Sequence, residues 1–143
     1  MSIEIISTDF TTHELQIKSI RETVFIKEQG VPVELEWDKY DMNATHILAI
    51  QHTENKHIPI GTCRILNNGH IGRMAVLSNY RNKGVGSKLL DKVISLAQQR
   101  KQKKVFLSAQ TSAIAFYSNH GFSITSDVFM DAGIPHKDME LAF

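Results

Sequence analysis

Gly84 and Gly86 stand where an apolar strand pattern gives way to a helical one, a place suited to holding an anion. Ile71, Met74, Ala75, Val76 and Leu77 form a short apolar run of strand length. Asn79 to Gly86 is rich in turn residues. From Val85 the apolar positions fall at helical spacing, through Leu89, Val93 and Ala97, with Leu90 and Ile94 beside them. Glycine costs roughly 1 kcal/mol inside a helix, but it lets a backbone come close to a ligand. The first N–H groups of a helix have no internal partner and lie at its positive dipole end. The stretch Arg81-Asn82-Lys83-Gly84-Val85-Gly86 therefore reads as a cradle for phosphate or pyrophosphate, with Arg81 and Lys83 adding charge at its rim. The plain alternative is a helix that starts after a glycine-rich turn.

No Gly-Lys-Ser/Thr is present, which excludes a P-loop, and no third glycine completes a dinucleotide fingerprint. What remains is Arg-x-x-Gly-x-Gly after a strand ending Arg73-Met74-Ala75-Val76. This resembles the acetyl-coenzyme A signature of the GNAT acetyltransferase superfamily. The resemblance implies that the pyrophosphate rests on the N–H groups of the cradle, and that Met74, Ala75 and Val76 pair with the pantetheine arm. A second block, Gln110 to Phe122, contains Ala113, Phe116-Tyr117 and Gly121-Phe122 and is similar to the family's Asn-x-x-Ala-x-x-Phe-Tyr-x-x-x-Gly-Phe. Gln110 replaces the usual Asn as the implied coenzyme contact. Val24 to Pro32, then Glu36, Asp38, Asp41, Ala44 and His46, resembles the ElaA-type acetyltransferases, as does the ending Gly133-Ile134-Pro135-His136.

Acetyl transfer to an amine needs the amine deprotonated, because an alkyl ammonium titrates near pH ~10. It also needs the carbonyl oxygen stabilised as charge develops, and a proton for the leaving thiolate. A main-chain N–H from Met74 or Val76 is the candidate for the carbonyl, if the strand is splayed from its neighbour. The resemblance makes Tyr117 the candidate acid; read by spacing alone, it is a core tyrosine beside Phe116. Glu28, Glu36, Asp38, Asp41 and His46 are the alternatives for the base, against the plain readings of solvated acids and a histidine bonded to backbone. The histidines show no metal-ligand spacing and the single Cys63 has no pair, so no metal is expected.

The elements that must position these groups follow from pattern. Ile3 to Ser7 is a strand, and a helix capped by Thr11 or Thr12 runs to about Lys27 with Leu15, Ile17, Ile20 and Val24 inward. Residues 29–42 form a loop or broken helix. Strands follow over 46–51, 58–66 and 70–77, with Asn67-Asn68-Gly69 as a hairpin turn. The helix over 85–102 leads to a strand at 105–109, a short helix at 112–119, a strand at 123–128, a loop at 131–135 and a last strand from 137 to 143. The order gives one mixed α/β domain over 1–143. The resemblance implies the GNAT fold, a mostly antiparallel sheet of about six to seven strands flanked by about four helices.

The 143 residues are 42% apolar and 22% charged, as in a globular chain. No apolar run approaches membrane-span length. No secretory leader is visible, and the lone cysteine agrees with a reducing cytoplasm. The net charge of +1 hides an asymmetry. Residues 81–104 carry eight basic side chains and one acid, while residues 28–41 carry five acids and one base. The basic region suits a ligand with several phosphates; without interleaved aromatics it is not a nucleic-acid surface. The acidic segment is expected to draw a cationic or neutral amine and repel an acidic one. The reading is an acetyl-CoA-dependent N-acetyltransferase acting on a primary amine of a small molecule, without metal, nucleic acid or membrane, in the cytoplasm. A homodimer is left open. The rival is a non-catalytic acyl-CoA-binding sensor.

Overall fold

The computed structural model describes residues 2–143. Strands β1 (Ser2–Thr8), β2 (Thr45–His52), β3 (His57–Ile65) and β4 (Ile71–Val76) form an antiparallel sheet in that order. Helix α1 (Glu14–Arg21) lies between β1 and β2 in the chain and continues as a π-helix over Glu22–Glu28, followed by the single turn α2 (Val33–Glu36). Helix α3 (Val85–Gln99) leads to β5 (Lys104–Gln110), the short α4 (Ile114–Ser118), β6 (Ser123–Ile124), β7 (Phe129–Asp131) and β8 (Ile134–Ala142). In the second sheet β8 is central: β5 pairs along one edge, and β6 and β7 pair along the other.

Burial on both faces explains the unbroken apolar run of β2. Ile47 and Ala49 pack with Val85, Leu89, Leu90, Val93 and Ala97 of α3. Leu48, on the opposite face, packs with Phe10, Ile17, Ile20 and Val24 around α1. Each fully buried Leu, Ile or Val contributes about 1.5–3 kcal/mol. Among the described residues, no helix is long and apolar enough to cross a membrane.

Several elements differ from the sequence expectation. Among the described residues, the expected mixed α/β fold with four α-helices holds, while its strands number eight and fall in two antiparallel sheets. Thr12 does not cap α1: its N–H donates to Asp9 Oδ1 (2.7 Å), and His13 stands at the N-cap. Leu15 is 82% exposed, since Ile17, Ile20 and Val24 define the inward face and Leu15 falls off it. The strand expected at 123–128 ends at Ile124. The loop expected at 131–135 is instead a tight hairpin, because Ala132 (φ 52°) and Gly133 (φ 76°) both adopt the left-handed conformation of a two-residue turn.

The two sheets join where β4 and β5 begin and separate afterwards. One parallel bridge pairs His70 with Phe106, whose N–H donates to the Gly69 carbonyl (3.1 Å) and whose ring stacks on His70. Beyond it, β4 pairs only with β3, and a cleft opens between β4 and β5. Gly69 (φ 93°) is essential to this junction: a Cβ there would lie 2.8 Å from the Lys104 carbonyl oxygen. Gly69→Ala combines that clash with a left-handed backbone that alone costs about 1–3 kcal/mol. Urea unfolding should show at least that loss; a midpoint equal to wild type would mean that the junction is not tight.

Candidate active site

Register slips where β4 passes Cys63 of β3. Thr62 opposes Ala75 and Arg64 opposes Gly72, so Arg73 and Met74 together face one residue. Arg73 adopts φ 51°, and this left-handed residue makes the bulge. The bulge kinks the strand beside the cleft and turns the Arg73 side chain toward the loop after α1.

Three arginines and three carboxylates meet there. Arg21, fully buried, donates from Nε to Glu36 Oε2 (2.7 Å), from Nη1 to Asp41 Oδ1 (2.7 Å) and from Nη2 to the Glu36 carbonyl (3.0 Å). The Trp37 ring covers its guanidinium at 5.0 Å. Arg64 donates from Nη1 to Asp38 Oδ1 (2.7 Å) and Asp41 Oδ1 (2.8 Å), and from Nη2 to Asp38 Oδ2 (2.8 Å). Arg73 donates from Nη2 to the Glu36 carbonyl and Asp38 Oδ2, both at 3.1 Å, while its Nε lies 3.3 Å from Glu36 Oε2. Three acids of the segment, Glu36, Asp38 and Asp41, are therefore neutralised by arginines from α1, β3 and β4.

Glu36 and Arg73 nevertheless line a cavity of about 450 Å³ in the cleft, together with His70, Met74, Gln110 and Tyr117. Glu36 is 3% exposed. Burial raises its pKa above the usual carboxylate range, against the pull of Arg21 and Arg73. Burial raises the Tyr117 hydroxyl, which stays protonated and has no hydrogen-bond partner among the described residues. His70 is pushed down by burial and by Arg64 and Arg73. A second cavity of about 390 Å³ lies at the glycine loop, lined by Val76, Arg81, Asn82, Gly84, Val85 and Gly86. The two share Met74, Ala113 and Phe116, so they form one groove.

At the loop end, Gly84 takes the left-handed conformation (φ 83°) at the N-cap of α3, and a Cβ on Gly86 would meet Phe116 Cζ at 3.3 Å. Arg81 is not a free rim cation. It forms a two-bond pair with Glu28 (2.6 and 2.8 Å) and donates from Nε to the Val76 carbonyl (2.9 Å). The π-helix is thereby fastened to the end of β4, and the Val76 carbonyl is already committed. Lys83 makes no ion pair among the described residues and remains available. Gln110 donates from Nε2 to Gln29 Oε1 (2.9 Å) across the cleft.

Residues 10–143 match the model of the acetyltransferase (GNAT) domain. The chain belongs to the GNAT acetyltransferase family. It is 36% identical over 132 residues to the uncharacterized N-acetyltransferase YjcF of Bacillus subtilis, covering 89% of this chain and 93% of the relative. It is 30% identical over 128 residues to protein ElaA of Escherichia coli, covering 84% and 81%. The ElaA crystal structure superposes with a TM-score of 0.84 at 25% identity, over 98% of this chain and 99% of that one. An acyl-CoA N-acyltransferase from Pseudomonas aeruginosa gives the same TM-score and identity over 99% and 100%.

GNAT proteins use acyl-CoA, and the groove fits such a group. The first turn of α3 has N–H groups without helical partners, and the unbranched Gly86 keeps them accessible beside Phe116. Of the base candidates, the structure brings only Glu36 to the cavity. Asp41 is enclosed between Arg21 and Arg64. His46 is buried against Phe10, donates from Nε2 to the Asp41 carbonyl (3.0 Å) and is pushed down by burial. Neither Asp41 nor His46 is among the residues that line the groove. Glu28 is held by Arg81 and Asp38 by Arg64. Sequence reasoning passed over Arg21, Arg64 and Arg73; an arginine within each apolar pattern was the signal, since buried charges require partners.

Burial alone would raise Asp38, but the bonds and charge of Arg64, with the charge of Arg73, lower it from 3.8 to about 2. Its pairing therefore stabilises the fold fully above the unfolded-state value and is lost as pH falls through about 2. Urea midpoints should decline between pH ~4 and ~2, and Asp38→Asn should flatten that decline. An unchanged slope in the variant would assign the acid sensitivity elsewhere.

Proposed function

We propose that this GNAT chain transfers the acetyl group of acetyl-CoA to a primary amine of a small molecule by direct attack, acting as one catalytic unit in the cytoplasm. One observation carries the reading: a single groove runs from the helix N-terminus at Gly84–Gly86 to an end holding Glu36 and Tyr117. Acetyl-CoA, when bound, supplies the thioester that is attacked. The N–H groups at the start of α3 and the Lys83 ammonium hold the pyrophosphate end, while Met74 and Val76 line the acyl arm and Gln110 flanks it.

Glu36 accepts the proton of the acceptor's ammonium, directly or through water; its raised pKa makes it a better base for this step than a solvated carboxylate. The N–H of Met74, one of two residues that the bulge leaves without a register partner, stabilises the charge developing on the carbonyl oxygen. Tyr117 gives its hydroxyl proton to the departing sulfur. Direct attack is supported by Cys63, the one thiol: it is 1% exposed and burial holds its pKa far up, so it presents no nucleophile to the groove.

Tyr117→Phe keeps the ring against Phe116 and Phe122 and removes only the hydroxyl. Turnover, followed as thiol release, should fall about 10²-fold, with acetyl-CoA affinity unchanged by calorimetry. Full turnover in the variant would leave Tyr117 as packing and require another acid.

A further inference from the structure

Arg73 and Glu36 face the groove side by side, and neither is fully committed. Arg73 Nη2 is used by the Glu36 carbonyl and Asp38, but Nη1 has no partner among the described residues. Nε, although buried, makes no hydrogen bond; it lies 3.3 Å from Glu36 Oε2 without the required alignment. Glu36 gives Oε2 to Arg21, and its Oε1 has no partner among the described residues. One donor and one acceptor of opposite charge are thus open at adjacent positions on the wall of one cavity.

The backbone points the same way. Arg73 is held at φ 51°, where glycine or asparagine would be less strained. A non-glycine residue kept in this conformation at a bulge marks a side chain whose direction matters. Arg21 and Arg64 reach all three carboxylates; Arg73 supplies the third positive charge that balances them and still keeps Nη1 without a partner among the described residues.

We infer that the acceptor is an α-amino acid with an apolar side chain, its carboxylate on Arg73 and its amine on Glu36. This rests on the acetyl-transfer reading above. The adjacency of the two groups on one cavity wall suits an acceptor that carries the anion and the amine on one carbon; an acceptor with these groups far apart engages only one of them. Phe25, Val31, Leu35 and Ile134 line the same cavity and provide an apolar wall for the side chain. Arg73 is thus a specificity residue, using a planar donor fork matched to a carboxylate. Burial, followed by the partly offsetting attraction of Glu36, leaves Arg73 with a pKa below that of an ordinary arginine, so a bound carboxylate would relieve an under-compensated charge.

The test compares leucine, methionine and phenylalanine with their decarboxylated amines, using acetyl-CoA and thiol release. The acids should show kcat/KM at least about tenfold higher, a factor typical of one charge-assisted anchor. In Arg73→Gln the acid-to-amine ratio should fall toward one, and Arg73→Lys should recover part of it. A separate readout needs no turnover and no variant: leucine titrated calorimetrically into the wild-type protein saturated with coenzyme A should bind, and isopentylamine should not. Decarboxylated amines that turn over as well as the acids, or an unchanged ratio in Arg73→Gln, would overturn the inference and leave acetyl transfer standing. Thiol release from no amine at all would overturn acetyl transfer. The titration then decides the anchor: selective leucine binding supports it, and equal or absent binding of both ligands overturns it.

Discussion

The buried pairing of Arg21, Arg64 and Arg73 with Glu36, Asp38 and Asp41 fixes the loop after the π-helix against the sheet. Residues 29–44 have little regular structure of their own, only single turns at Val33–Glu36 and Asp41–Asn43. Such a segment gains little from helix formation. It is held because arginines from α1, β3 and β4 each bond to it, at its carboxylates and at the Glu36 carbonyl. Removing one member of a buried pair leaves an uncompensated charge and typically costs about 3–5 kcal/mol. The network therefore sets where Glu36 stands, and Glu36 is the only one of these carboxylates that reaches the groove.

The groove depends on a second constraint, the failure of β4 and β5 to pair beyond one bridge. The junction at Gly69, His70 and Phe106 holds the sheets together at one end. The bulge at Arg73 and Met74 bends β4 at the level where the cleft opens. Network and bulge are coupled through Arg73, which belongs to both. The Glu28–Arg81 pair closes the circuit on the coenzyme side by tying the π-helix to the end of β4. The same loop thus touches both ends of the groove.

Much of the fold was legible, because it rests on local patterns. Val85, Leu89, Val93 and Ala97 announce α3 and are all buried against the sheet. The glycine pair announces the loop before it, and Asn67-Asn68-Gly69 announces the hairpin. The hairpin at Ala132-Gly133 was hidden because alanine at positive φ carries no sequence signal. The short β6 was overextended because Ile124 and Val128 suggest one strand, whereas the polar Thr125, Ser126 and Asp127 lie between them and ladder pairing with β8 ends at Ile124. The glycine-loop end of the groove was read from residue types that act through their own backbone. The Glu36 end was not, because the partners of Glu36 and Asp38 lie in three separate elements, and sequence order does not reveal which acids meet which arginines. Arg81 shows the same limit. Its type suits a phosphate, yet its guanidinium is taken by a residue far away in the chain.

The most direct measurement is a crystal structure of the protein with coenzyme A. The account predicts the pyrophosphate on the N–H groups of Gly84 to Ser87, the pantetheine running between β4 and β5 past Met74 and Phe116, and the sulfur beside the Tyr117 hydroxyl with Glu36 beyond it. Coenzyme A bound outside this groove, or with its sulfur directed away from Tyr117 and Glu36, would contradict it.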